Sequence, residues 1–353
     1  MKINIQQIKN PVLLIGLMIS LAVVIVSCQK RSDEFGQGSF KSKQGPQKEE
    51  MVVVANRGDG SISFIDAISE NVLETLSIDG SEPMYVVYVA ATDRIYVGDR
   101  AQNQVHVIDP AAREVESSID VGNGVFHMWA GGNGEQLWVN NDVDQTTSVI
   151  DLNSNSVIAT IAVGAKPHDV FVTDDGSRAY ITTLNEGDDP DQVFMYSTAT
   201  FQKTGEQEVG KDPHLYHLFR KDKLYVPCQS GNVFVLDGTD LGVLDDDAYP
   251  GAHGIYGTHN QNNIFVTNLP GGQIYAIDAI KDEVIGTPAA TNPIPHNLVI
   301  NKKTSKLFVT HSGGTANTVS VFNIGPQKGL TFSTTLMVGT NPFGLAYYQR
   351  HTN

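Results

Sequence analysis

The sequence predicts an all-β fold, a seven-bladed β-propeller whose blades are four-stranded antiparallel sheets. Three observations support this prediction: the composition, a repeat of about 40 residues and the phase of its two ends. Of the 353 residues, 33 are glycine, 41% are hydrophobic and only 18% are charged. Such a composition is typical of a globular protein rich in strands and turns.

The repeat is marked by a hydrophobic residue followed by a polar turn residue, most often the pair Ile-Asp. The second members of these pairs are Asp66, Asp109, Asp151, Ser197, Asp237, Asp278 and Asn323. An Asp there can accept hydrogen bonds from the following backbone and begin a turn. An aromatic residue in a β-rich run recurs with the same period, as Tyr96, Trp138, Tyr180, Tyr225, Phe265 and Phe308. The spacing therefore predicts seven units, each a blade of four short strands.

The two ends of the repeat are out of phase. Met51 begins a second strand that has no first strand before it, and Asn341 begins a first strand that has no second strand after it. We expect the N-terminal strands and the C-terminal strand to share one blade, which closes the ring and leaves only short strand edges. Residues 51–350 are accordingly assigned to the propeller.

The N-terminal residues predict export. A lysine-containing start leads into an apolar run, which is the pattern of a signal peptide and is assigned here to residues 1–27. The run Ile25–Cys28 resembles the lipobox of bacterial lipoproteins, and that resemblance implies lipidation of Cys28. Residues 28–50 are polar, without apolar periodicity, and are expected to form a flexible acylated tether. The residue after Cys28 is Gln29 and not Asp, which resembles lipoproteins that are sorted to the outer membrane and not to the inner membrane.

These features predict a cell-envelope protein, an outer-membrane lipoprotein that faces the periplasm or the cell surface. The formal net charge of -15 disfavours nucleic acid as a partner, because phosphate binding needs clustered Lys and Arg. The second cysteine, Cys228, has no partner for an intramolecular disulfide once Cys28 carries lipid. We expect a monomer that contacts the membrane through its lipid anchor and binds an unidentified protein or small molecule.

The repeat resembles that of the YVTN-type β-propellers, which runs Gly-x-x-Pro, an apolar strand, Asp-Gly, Tyr-Val-Thr-Asn and a strand ending in Ile-Asp. Its closest copy begins with Val163–His168 and continues with Asp175-Gly176 and Tyr180–Thr183. The resemblance covers about 300 residues and implies the propeller fold, whereas propellers with very different functions share this repeat.

Aligning the repeats brings several histidines to one structural position. The residues there are Met84, Phe126, His168, His214, His253, His296 and Phe343. Because the strand after this position is innermost in a propeller, we expect these side chains near one mouth of the central channel. His127 and His217 lie one and three residues past the shared position and are candidates for the same mouth. Neutral imidazoles that converge there could bind Cu or Zn, and His168, His214, His253 and His296 are the candidate ligands.

Two functions remain open. We expect a non-catalytic binding or interaction module, in which the Pro-His pairs hydrogen-bond a neighbouring blade and no cofactor is required. The alternative is an enzyme, either copper-dependent or similar to lactonases or lyases, that uses a histidine and a carboxylate as acid and base. Nitrous oxide reductase is similar in placing channel-mouth histidines of a seven-bladed propeller around copper, but the paired cysteines of its second domain have no counterpart here. The sequence also contains no Cys-x-x-Cys-His haem motif.

Overall fold

The computed structural model describes residues 47–286, 288–301, 303–326 and 329–352. Within these ranges every regular element is a β-strand, and no helix is long and apolar enough to cross a membrane. The predicted signal peptide, the lipidation site Cys28 and most of the predicted tether lie outside the described residues.

The strands form seven antiparallel sheets, which confirms the predicted seven-bladed propeller. Blade 7 combines β1 (Gln47–Asn56), β2 (Ser61–Asp66) and β3 (Asn71–Ser77) with the last strand, β29 (Pro342–Thr352). Blade 1 contains β4 (Pro83–Val89), β5 (Arg94–Asp99), β6 (Gln104–Asp109) and β7 (Glu114–Asp120). Blade 2 contains β8 (Val125–Ala130), β9 (Gln136–Asn141), β10 (Thr146–Asp151) and β11 (Ser156–Ala162). Blade 3 contains β12 (Lys166–Val172), β13 (Arg178–Leu184), β14 (Asp191–Ser197) and β15 (Lys203–Val209).

The remaining three blades follow the same order from the innermost strand outward. Blade 4 contains β16 (Tyr216–Leu218), β17 (Lys223–Cys228), β18 (Asn232–Asp237) and β19 (Val243–Ala248). Blade 5 contains β20 (Ala252–Gly257), β21 (Asn263–Asn268) and β22 (Gln273–Asp278), and its outer strand is divided into β23 (Glu283–Val284) and β24 (Ala289–Ala290). Blade 6 contains β25 (Pro295–Asn301), β26 (Lys306–His311), β27 (Thr318–Ile324) and β28 (Leu330–Met337).

Blade 7 closes the ring as the sequence predicts, with β29 on the inside of β1. Backbone pairing between β1 and β29 joins Val52 to Tyr347 and extends as far as the pair Gln47–Thr352. The first strand therefore begins before Met51, so the expectation that the tether reaches residue 50 is corrected. Glu50 is buried in this sheet, and its carboxylate accepts a hydrogen bond from the Tyr347 hydroxyl at 3.2 Å. Polar composition did not reveal this strand because it is held by backbone pairing with β29.

The hydrophobic core is divided into seven clusters, each of which joins two adjacent blades. The aromatic residues that mark the repeat are all fully buried in the second strands: Tyr96, Trp138, Tyr180, Tyr225, Phe265 and Phe308. Fully burying a large apolar side chain contributes about 1.5–3 kcal/mol, so the ring is held mainly by packing between blades.

The predicted role of the Ile-Asp pairs in turns is confirmed. Asp66 Oδ1 accepts hydrogen bonds from the backbone N–H groups of Ile68 at 3.0 Å and Ser69 at 2.7 Å. Two residues past Ile68, Glu70 adopts a φ of 57° and donates its N–H to the carbonyl of Asp66. Asp109 and Asp151 start equivalent turns.

Six innermost strands contain a β-bulge close to the residue where each strand begins. At each bulge two consecutive residues oppose a single residue of the second strand: Met84-Tyr85, Phe126-His127, His168-Asp169, His253-Gly254, His296-Asn297 and Phe343-Gly344. A bulge changes the direction in which side chains leave the strand. Blade 4 differs, because an isolated bridge between Pro213 and Cys228 precedes its short inner strand.

Threonine hydroxyls connect three of these bulges to the next blade. Thr182 Oγ1 accepts the Asp169 N–H at 2.8 Å and donates to the carbonyl of Pro213 at 2.9 Å. Thr267 donates to the carbonyl of His296 at 2.8 Å, and Thr310 donates to that of Phe343 at 2.9 Å. The inner strands of neighbouring blades are thereby held at a fixed separation.

The bulge of blade 5 leads to a stability prediction. A Cβ atom added at Gly254 would lie 2.0 Å from the carbonyl oxygen of His296. Because this oxygen belongs to the backbone of the next blade, Gly254→Ala should lower the free energy of unfolding by at least about 1–3 kcal/mol, the usual cost of overpacking. Urea titration followed by circular dichroism measures this. Gly314→Ala is the matched control, since no atom of the described residues lies within 4 Å of its added Cβ. Equal losses in the two variants would contradict the close approach of blades 5 and 6.

Candidate metal centre at the channel mouth

Six aromatic and imidazole side chains form a closed ring where the inner strands begin, here called the rim ring. The ring centroids are separated by 5.1 Å for Phe126–His168, 4.8 Å for His168–His214, 4.0 Å for His214–His253, 4.7 Å for His253–His296, 4.1 Å for His296–Phe343 and 6.0 Å for Phe126–Phe343. The structure therefore brings the four candidate histidines together. At the equivalent position of the remaining blade, Met84 is fully buried.

The second residues of the bulges add further side chains to this cluster. The ring of His127 lies 5.2 Å from that of His214 and 5.5 Å from that of His168, and it stacks against Tyr85 at 3.6 Å. Asn297 Nδ2 donates to the Tyr85 hydroxyl at 3.0 Å. The bulges thus place two chemically different residues per blade at the mouth.

Asp169 is a buried carboxylate between two of the histidines. Its Oδ1 lies 2.6 Å from His127 Nδ1, and its Oδ2 lies 3.5 Å from His214 Nδ1. The backbone N–H groups of Val170 and Leu215 donate to the same carboxylate at 2.7 and 2.8 Å. A carboxylate at Nδ1 of a histidine holds the proton on that nitrogen and leaves the Nε2 lone pair free.

Asp212 approaches the cluster from the loop before blade 4. Its Oδ1 lies 2.9 Å from His168 Nε2, and its Oδ2 lies 3.9 Å from His253 Nδ1. The residue has a φ of 55°, which Asp tolerates better than most side chains. Its N–H donates to the fully buried carboxylate of Asp191 at 2.8 Å, which fixes the loop.

Burial determines the protonation of this cluster. It lowers the pKa of His127 to about 4 and the pKa values of His253 and His296 well below the ordinary value of histidine. Burial acts to raise the pKa of Asp169, but the imidazoles of His127 and His214 outweigh it, so this pKa lies well below its usual range. At neutral pH these three imidazoles are uncharged beside an ionised carboxylate, which is the state that metal binding requires.

Two groups of donor atoms are close enough to hold a metal ion. One consists of His127, His168 and His214 and the other of Asp212, His214 and His253, with one ligand atom per residue and all atoms of a group within 4.8 Å of one another. His168 Nε2 and His214 Nε2 are 3.4 Å apart. Two nitrogens at 2.0–2.1 Å from a tetrahedral metal would be separated by about 3.3–3.4 Å, so this pair fits such an ion.

Several buried nitrogens of the cluster have no hydrogen-bond partner in the part of the chain that the structure describes. They are His127 Nε2 and both ring nitrogens of His253. An unsatisfied buried polar group costs about 1–3 kcal/mol, so retaining these atoms needs a reason, and a bound metal supplies one.

His217 lies elsewhere, contrary to its candidacy for the channel mouth. Its Nε2 is 2.8 Å from Asp222 Oδ1, and its ring centroid is 5.7 Å from that of Tyr180. It lies three positions past His214, which is an advance of about 10 Å along an extended strand, away from the mouth. Cys228 is also buried, and burial raises the pKa of its thiol to about 12, so it remains protonated at neutral pH.

Sequence reasoning missed the carboxylates Asp169 and Asp212 and the side chains Tyr85 and Asn297. The available signal was adjacency, because Asp169, Tyr85 and Asn297 each directly follow a residue of the shared position. In a regular strand such neighbours point to opposite faces, and only the bulge places both at the mouth.

Comparison with known proteins identifies the architecture. No protein-family model and no curated protein matches the chain. Among solved structures, the periplasmic gluconolactonase of Pseudomonas aeruginosa superposes with a TM-score of 0.69 at 15% identity, covering 85% of this chain and 99% of that one. A Bacteroides fragilis protein, provisionally titled a 6-phosphogluconolactonase, gives 0.68 at 16% identity, with 85% and 98% covered. Hydrazine synthase of Kuenenia stuttgartiensis gives 0.65 at 14% identity, with 78% and 97% covered.

These likenesses establish the class of protein to which the chain belongs, the seven-bladed β-propellers. Identities this low show a shared fold, and a fold alone does not determine an activity.

The lowered pKa of His253 leads to a prediction about pH and stability. As the pH falls through about 6.5, the unfolded chain binds a proton at this imidazole and the folded chain does not, so stability is lost. Between pH 7 and pH 5 this histidine should account for a loss of up to about 2 kcal/mol. The variant His253→Phe carries in blade 5 the phenyl ring that blades 2 and 7 have at this position. Between pH 7 and pH 5 its free energy of unfolding should fall less than that of the unsubstituted protein, by the amount that His253 contributes.

Urea unfolding at both pH values in the presence of a chelator measures this difference. His259→Phe, which replaces an exposed histidine of a turn, is the control and should leave the pH dependence unchanged. If His253→Phe lost as much stability as the unsubstituted protein, the neutral, buried state of this imidazole would be refuted.

Proposed function

We propose that the propeller binds a transition metal ion, zinc or copper, at its channel mouth through His127, His168 and His214. The observation that carries this proposal is the 3.4 Å separation of His168 Nε2 and His214 Nε2 beside the unpartnered Nε2 of His127. Imidazole nitrogen is a suitable ligand for both metals, and three histidines leave a fourth position open.

The surroundings of these three ligands support the proposal. Asp169 contacts the Nδ1 atoms of His127 and His214, as expected of the carboxylate that commonly orients metal-binding histidines. Asp212 Oδ1 lies 2.9 Å from His168 Nε2, so a metal that binds this nitrogen would take the place of the proton held there, and the negative charge of Asp212 favours that cation. Backbone N–H groups fix Asp169, so the ligand set is arranged before the metal arrives.

We also propose that this module belongs to the YVTN-repeat propellers and is displayed on the cell envelope as an outer-membrane lipoprotein. The support is the repeat around Val163–Thr183, the lipobox-like run Ile25–Cys28 and the polar segment that follows it. In that setting the protein binds a metal or a metal-held ligand without catalysing a reaction. Radiolabelled palmitate incorporation that is lost in Cys28→Ser would test the anchor.

The metal site is tested by elemental analysis of the purified mature protein after loading with zinc or copper and desalting. We expect about one ion per chain, held by the three histidines. His168→Phe and His214→Phe, which keep a ring at each position, should each abolish stoichiometric binding. His259→Ala is the control and should retain the ion. Failure of the unsubstituted protein to bind an ion, or full binding by both Phe variants, would refute the site.

A second candidate function is a lactone-hydrolysing enzyme. Two of the similar structures carry titles that name them gluconolactonases, and the His127–Asp169 pair has the arrangement of a general base and its orienting carboxylate. In this case His127 Nε2 accepts a proton from an attacking water and does not bind a metal.

This candidate predicts that the protein, assayed with a chelator present, accelerates the hydrolysis of δ-gluconolactone. Asp169→Asn should then lower kcat by about 10²–10⁴-fold, because His127 loses its orienting charge. Asp222→Asn, which alters the separate His217–Asp222 pair, is the matched control and should leave kcat unchanged. A rate no higher than that of the spontaneous reaction would eliminate this candidate and leave the metal-binding proposal intact.

A further inference from the structure

Arg100 is fixed at the rim of the mouth, in the turn that follows β5. Its guanidinium carbon lies 5.8 Å from the centroid of the Phe126 ring, and its Nη1 donates to the carbonyls of Gly124 and Val125 at 3.3 and 3.4 Å. The same nitrogen lies 2.9 Å from Asp142 Oδ1. A cation is thereby placed over the ring that neighbours His168.

Lys166 lies on the other side of the same carboxylate, two residues before His168 in the chain. Its Nζ is 3.6 Å from Asp142 Oδ2, and its side chain is 48% exposed whereas that of Asp142 is 5% exposed. Two cations therefore share one buried carboxylate, which leaves an excess positive charge in a protein whose formal net charge is -15. Arg57 also lies over a ring of the mouth, that of Phe343, but its charge is balanced by the carboxylate of Glu82 at 2.6 Å.

The charges around the proposed metal do not balance without a further ligand. A divalent ion would be matched by the carboxylates of Asp169 and Asp212, and the group formed by Arg100, Lys166 and Asp142 adds one positive charge. This excess positive charge lies beside buried imidazoles and carboxylates, where water screens it less than in bulk solvent, so a ligand with one negative charge would be favoured.

Two further features indicate the chemistry of that ligand. The planar guanidinium of Arg100 matches the geometry of a carboxylate. The hydroxyl of Tyr85 accepts a hydrogen bond from Asn297 at 3.0 Å, which leaves its own O–H available to donate to a ligand. The rings of Tyr85 and Phe126, 6.2 Å apart, provide an apolar wall for the carbon part of a ligand.

From these contacts we infer that the metal centre takes a small monocarboxylate, held beside the metal by Arg100 and Lys166. The inference rests on the proposed metal site and specifies the class of ligand that the site binds. It makes Arg100 and Lys166 specificity residues, because neither belongs to the metal-binding set.

The test uses the mature full-length protein loaded with cobalt(II), whose visible spectrum reports on ligands at the metal, and acetate as the probe at constant ionic strength. Acetate should shift the spectrum saturably, whereas acetamide, a neutral molecule of the same shape, should not. Arg100→Gln and Lys166→Gln should each raise the Kd for acetate about tenfold by removing one nearby positive charge. Lys203→Gln is the matched control, since Lys203 also lies over an aromatic ring, that of Phe194, but belongs to the outer strand β15.

Cobalt content and melting temperature are measured for every variant, so loss of metal or of folding is distinguished from loss of the anion. Unchanged Kd values in both Arg100→Gln and Lys166→Gln, or equal responses to acetate and acetamide, would overturn the inference while the metal site stands. Absence of cobalt from the unsubstituted protein would instead overturn the proposed function, and the inference with it.

Discussion

The ladder between β1 and β29 is the interaction on which the rest of the structure depends. It joins residues near the two ends of the described chain in one sheet and fixes the number of blades in the ring. Blade 7 packs against blade 1 through one hydrophobic cluster and against blade 6 through another, so both of these interfaces rely on this closure. The fold needs no disulfide for this, because packing between blades carries the stabilisation.

Closure also explains how ordinary residues become a chemical site. A bulge places two consecutive side chains at the start of an inner strand, and the ring brings six such bulges and His214 to one mouth. The result is a buried set of imidazoles around the ionised Asp169, and burial lowers the pKa values of His127, His253 and His296. Desolvating so many polar atoms opposes folding, and threonine hydroxyls such as that of Thr182 offset part of this cost by satisfying the bulge backbone.

Periodic features of the fold could be predicted from the sequence, whereas departures from the period could not. The seven blades, the shared blade and the convergence of His168, His214, His253 and His296 follow from residues that recur at one repeat position. The position of Asp169 at the mouth could not be predicted, because in an ordinary strand its side chain would point away from that of its neighbour His168. His217 lies away from the mouth because three positions of extended strand span about 10 Å. Glu50 belongs to a strand and not to the tether because backbone pairing with β29 holds it, and such pairing leaves no mark in composition.

The position of β29 has a consequence for how the protein is made. Of the 29 strands in the described residues, it is the last to be synthesised, yet it is the innermost strand of the blade that contains the first three. Blade 7 cannot be completed, and its two neighbours cannot bury their facing side chains, until translation has reached Thr352. Blade 7 therefore stays open on its inner side for as long as this last strand is missing, and the unpaired backbone of β1 is exposed until β29 arrives.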